Sequence, residues 1–152
     1  VLDTHRGYDP GALDLYNHLT ELANFSQACT ISRLLIEVNR SLHHPQLFSE
    51  FTAELPLAEK KKIIDNYYLP YRGKIEKQIL NIISGGERVV HISVHSFTPV
   101  LNGDVRAADI GILYDPARIE EKEIAKDFKS VLLEQLPQTR VRFNYPYLGK
   151  AD

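Results

Sequence analysis

From Asp9 to about Phe25 the apolar residues Ala12, Leu15, Tyr16, Leu19, Leu22 and Ala23 recur three and four positions apart, the period that gathers side chains on one helix face. Asp9 and Pro10 suit the cap and first turn of that helix. The period then changes. Cys29 to Val38 is rich in β-branched and aliphatic residues, with Leu34, Ile36 and Val38 on one face and Arg33, Glu37 and Asn39 on the other, which predicts a strand. Ser41 to Pro56 keeps no period and holds His43, His44, Pro45 and Pro56, the marks of a long loop with room for one helical turn.

Leu57 to Tyr68 and Gly73 to Ser84 are helical in pattern and are separated by Pro70, which is expected to end or kink the first. After Gly85-Gly86, the stretch Val89 to His95 alternates apolar residues with His91, Ser93 and His95, predicting a second strand with one polar face. Ala108 to Tyr114 reads as a third strand, Ile119 to Leu136 as an amphipathic helix and Thr139 to Asn144 as a fourth strand. Alternating strands and helices predict an α/β layer fold, a mostly parallel sheet flanked by helices. With 152 residues, 17.3 kDa, and no repeat or linker, a single α/β domain over 1–152 is expected.

Composition narrows the function classes. Hydrophobic residues are 43% and charged residues 25%, the balance of a folded domain and not of a disordered chain. The 18 Lys+Arg against 20 Asp+Glu leave a net charge of -2, with no general pull toward nucleic acid or an anionic membrane. No apolar run approaches the roughly 18 to 20 residues of a membrane helix, and Val1 to Arg6 is no signal peptide. A cytoplasmic setting is expected. A lone Cys29 excludes an internal disulfide and a thiolate zinc site. The chain starts at Val1 and contains no Met, and it is expected to be an internal portion of a longer protein.

Ligands of such sheets bind outside the carboxyl ends of the strands, where Asn39-Arg40 and His95-Ser96 fall. His95 is a plausible zinc ligand, or simply a hydrogen-bonded histidine at a strand end. Asp9 is either a helix N-cap or a carboxylate for a cation, with His5 four residues upstream. Arg33 and Arg40 can grip a carboxylate through the guanidinium fork; Arg33 can equally pair with Glu37. Tyr67, Tyr68 and Tyr71 suit packing with their hydroxyls at the surface, and Lys60 to Lys62 suits a solvated helix face. No glycine-rich phosphate loop, nucleophile elbow or CxxC spacing is present.

The stretches Thr4 to Ala12, Ser32 to Ser41, Tyr68 to Arg72, Ser93 to Pro99, Asp109 to Tyr114 and Asn144 to Tyr147 together resemble the N-formylglutamate amidohydrolase family. More distantly, Asn39-Arg40 and Ser93 to Ser96 resemble the zinc carboxypeptidases, with their phosphorylase/hydrolase-like fold, and related acyl-amino-acid deacylases. The resemblance implies a cytoplasmic enzyme of amino-acid metabolism, in histidine degradation, that removes the formyl or a similar acyl group from a small-molecule N-acyl amino acid such as N-formylglutamate. It implies Zn²⁺, or another divalent metal, at His95, Asp9 and His5. It also implies substrate contacts from Asn39, Arg40, Arg33, Tyr71 and Ser96. The family's upstream strand carrying a His and its downstream Glu, the general base, have no counterpart among these residues, so the base is expected outside this chain. A non-catalytic carboxylate-binding domain of the same fold, without metal, is the alternative.

Overall fold

The computed structural model describes Val1–Lys150, and the chain divides into two compact units, Val1–Phe97 and Thr98–Asp152. In the first unit, α1 (Ala12–Leu19) continues into a short 3-10 turn, Thr20–Leu22. A long helical stretch follows: α2 (Leu57–Ile63), a π turn (Ile64–Tyr68) and α3 (Leu69–Ser84). Pro70 therefore does not end the helix. In an α-helix its ring would clash with the carbonyl four residues back and its missing N–H would break a bond. The wider turn, closed by the Leu69 N–H on the Ile64 carbonyl, admits it without a break, as π bulges do.

The predicted strands over 29–38 and 89–95 form no ladder among the described residues. Local bonds explain the first. The Ser32 hydroxyl accepts the Leu34 N–H and donates to the Gly7 carbonyl, while Ser49 and Thr52 hydroxyls donate to the Leu34 and Leu35 carbonyls. Backbone groups that a ladder would have used are thus satisfied by side chains, and the segment turns. Its apolar residues still face inward: Ile36 is fully buried and, with Val38, Leu47 and Tyr68, forms the core of this unit. In the second segment Val90 and Ile92 stay exposed, with no neighbouring strand to pair against among the described residues.

The second unit opens with a hairpin, β1 (Val100–Leu101) and β2 (Asp104–Val105), paired antiparallel. Its turn, Asn102-Gly103, has φ of 52° and 87°, the double left-handed conformation that Asn-Gly favours in tight hairpins. Next, β3 (Ile110–Ile112), α4 (Ile119–Gln135) and β4 (Val141–Phe143) make a β-α-β unit in which β3 and β4 run parallel, the helix supplying the crossover a parallel pair needs. Ala108, Ala125 and Val141 are its buried apolar residues. The fold mixes helix and strand, but its sheets are two-stranded and one is antiparallel; the mostly parallel sheet expected from the alternation is absent from the described residues. No helix among them is long and apolar enough to cross a membrane.

Candidate active site

Asp9 is not the cap of α1: that position belongs to Gly11, at φ 78°, and no side chain caps the helix. The Asp9 carboxylate instead serves a cluster drawn from three distant segments. One oxygen accepts from His95 Nδ1 at 2.6 Å and the other from Arg33 at 2.9 Å. Arg33 also reaches Glu37 at 3.3 Å, the salt bridge its spacing allowed, and is thus tied to two carboxylates of the chain itself. On the far edge of the imidazole, the Asn39 amide donates toward His95 Nε2 at 3.4 Å. One ring nitrogen giving to Asp9 and the other receiving from Asn39 is the pattern of a neutral imidazole.

Partial burial raises the Asp9 pKa, yet the His95 hydrogen bond, the Arg33 charge and the Ser96 backbone bond outweigh it and hold the carboxylate below its ordinary value. Asp9 is therefore an anion fixed in place at neutral pH. Tyr71 goes the other way, its phenol pushed up chiefly by burial and further by Cys29, so it remains a hydrogen-bond donor.

Asn39, Tyr71 and His95 line a cavity of about 280 Å³, whose remaining wall comes from His91, Ser93 and the α3 residues Arg72, Ile75, Glu76 and Ile79. The polar alternation His91, Ser93, His95 thus faces a cavity even though no strand forms. Arg40 lies elsewhere, beside Arg6, Arg33, Glu37 and Glu50 in a second cavity of about 320 Å³. There Arg6 pairs with Glu50, and the Arg40 carbonyl accepts the Tyr68 hydroxyl at 2.7 Å. Ser96 contributes its backbone to Asp9. His5 is exposed, and no three His, Cys, Asp or Glu residues among the described ones gather to hold a metal.

Of the residues singled out in the sequence, the structure brings Asp9, His95, Asn39 and Arg33 into one bonded group with Tyr71 at its cavity, and sets Arg40 and His5 apart from the imidazole. Arg72, His91 and Ser93 are cavity residues that sequence reasoning did not select. A signal existed for each: His91 and Ser93 share the alternation of His95, and Arg72 sits one turn before Glu76 on the face of Ile75 and Ile79.

A carboxylate oxygen and an imidazole nitrogen are donors that zinc accepts, but a catalytic zinc takes three protein ligands. Asp9 and His95 supply two.

The family model for N-formylglutamate amidohydrolase matches residues 1–151. Among solved structures, the crystal structure of a gene product from Agrobacterium tumefaciens is 28% identical with a TM-score of 0.76, the match covering 96% of this chain. The chain spans only 59% of that protein's length. No curated protein matches. Extending over all but the last residue, the family match shows that this chain belongs to the N-formylglutamate amidohydrolase family.

Proposed function

We propose that this chain forms the cavity part of a metal-dependent amidohydrolase that releases the formyl, or a similar acyl, group from an N-acyl amino acid such as N-formylglutamate. The observation that carries the reading is the Asp9–His95–Asn39 group beside a cavity of small-ligand scale. Asp9 and His95 are the residues that would hold the metal, zinc by the chemistry of its donors, together with a third ligand not grouped with them here. When bound, such a metal polarises a carbonyl and lowers the pKa of water.

The chain's own residues supply orientation. Arg33 and the Ser96 backbone fix the Asp9 carboxylate, the support that ligating groups commonly receive from their neighbours. Asn39 and Tyr71 offer amide and phenol donors at the cavity for the substrate's carbonyl and carboxylate oxygens.

One observation favours a second reading, a carboxylate-binding domain without metal: only two metal donors come together among the described residues. Formate release and metal content decide between them. Joined to the segment expected to carry the general base, the protein incubated with N-formyl-L-glutamate and zinc should release formate, and His95→Ala should lose both that activity and the retained zinc. Tight binding of glutamate derivatives with neither zinc retention nor formate release would establish the second reading and overturn the first.

A further inference from the structure

Each arginine near the site has a different degree of commitment. Arg33 is held by Asp9 at 2.9 Å through Nη2 and by Glu37 at 3.3 Å through Nε, so one edge of its guanidinium is committed to two carboxylates of this chain. Arg72 lines the cavity of Asn39 and His95, yet its ionic contact among the described residues, to Glu76, is 3.9 Å long, outside hydrogen-bond range. Its guanidinium lies over the ring of Tyr68, 5.9 Å from the centroid, and that ring is buried in the core. A contact of this kind at 5.9 Å draws the guanidinium toward the ring without supplying a carboxylate, and the N–H fork can serve a planar anion.

The rest of the wall describes the anion's carrier. Ile75 and Ile79 continue the Arg72 face of α3 along the cavity and offer an apolar surface to a short methylene chain. At about 280 Å³ the space lies just under the roughly 300–1,000 Å³ of drug-sized pockets, suited to a ligand of amino-acid size. Glu76 shares this wall but is 64% exposed, so its carboxylate can stay in water while a ligand carboxylate takes the fork.

We propose that Arg72 receives the side-chain carboxylate of an acidic N-acyl amino acid and sets the preference for acidic over neutral substrates. This rests on the amidohydrolase reading and names its specificity residue. The test is kcat/KM for N-formyl-L-glutamate and for its isostere with a neutral side chain, N-formyl-L-glutamine, in a parent protein joined to the segment expected to carry the general base, and in its Arg72→Gln and Arg72→Lys variants. The acidic-over-neutral ratio should fall roughly 10- to 150-fold in Arg72→Gln, the worth of a charged hydrogen bond, and by less in Arg72→Lys, which keeps the charge without the fork. Circular dichroism checks that each variant folds, and if Arg72→Gln does not, a lowered ratio in Arg72→Lys carries the test. A parent that hydrolyses N-formylglutamate, with a ratio unmoved in the folded variants, overturns the role of Arg72 alone. A zinc-loaded parent that hydrolyses neither substrate overturns the amidohydrolase reading and this proposal with it.

Discussion

Replacing Tyr68 with Phe removes one oxygen from the place where the core of the first unit meets the candidate site. The ring is 4% exposed and packs in the cluster of Ile36, Val38 and Leu47, contacts that Phe retains. What disappears is the hydrogen bond from the hydroxyl to the Arg40 carbonyl, 2.7 Å long. A neutral hydrogen bond of this kind contributes about 0.5–1.5 kcal/mol net. Arg40 is only half-buried, so its carbonyl can recover a water partner, and the larger penalty of an unsatisfied buried acceptor does not apply. The expected loss is about 1 kcal/mol. With a urea slope of about 1–3 kcal/mol/M, the unfolding midpoint should drop by roughly 0.3–1 M, measured by far-UV circular dichroism with the slope itself unchanged. A midpoint equal to that of the parent would refute the bond as a stabilising anchor for residue 40. A loss above about 3 kcal/mol would show that the ring repacks, which contradicts the retention of its core contacts.

Two glycines should respond oppositely to alanine. At Gly111 a Cβ would run into the backbone oxygen of Tyr145, so Gly111→Ala should cost about 1–3 kcal/mol through overpacking; at Gly73, inside α3 with nothing near, alanine should add about 0.5–1 kcal/mol, and equal urea midpoints for the two variants would disprove the contrast. Asp109, hydrogen-bonded by the side chain and backbone of Arg140, is held at about 2 against an ordinary 3.8. Its contribution to stability is therefore present above about pH 4 and is lost as pH falls through about 2. Carboxyl NMR should show that low midpoint in the parent and a higher one, moved toward the ordinary value, in Arg140→Gln, which keeps only the backbone hydrogen bond, and matching midpoints would exclude the side-chain pairing.

Periodicity located the elements whose bonds are internal or local. The helix expected over Ile119 to Leu136 is α4, Ile119–Gln135, and β3 and β4 lie inside the strands expected over 108–114 and 139–144. Over 29–38 the pattern of inward residues was legible, since Ile36 and Val38 are core, but the ladder was not. An apolar alternation reports which side chains leave water; it does not report whether a partner strand exists, and here serine and threonine hydroxyls took the backbone groups instead. The π turn ahead of Pro70 was invisible for a related reason, because one shifted bond alters the consequence of a proline without altering the hydrophobic period. The hairpin at Asn102-Gly103 carried an explicit signal in that dipeptide.

The candidate site divides along the same line. Asp9 and His95 are 86 positions apart and share a hydrogen bond, and no local pattern in the sequence joins them. Asn39 and Arg40 are neighbours in sequence and were read as one grip, yet they line different cavities. Adjacent side chains in non-helical backbone diverge, so a two-residue motif can serve two spaces at once. The consequence is chemical. With Arg40 turned to the second cavity and Arg33 bound by Asp9 and Glu37, the guanidinium facing the His95 cavity is Arg72, which lies between the two helices that the hydrophobic period predicts. The α3 face that carries Ile75 and Ile79 thus lines a ligand-sized space, a placement that a helical period alone does not report.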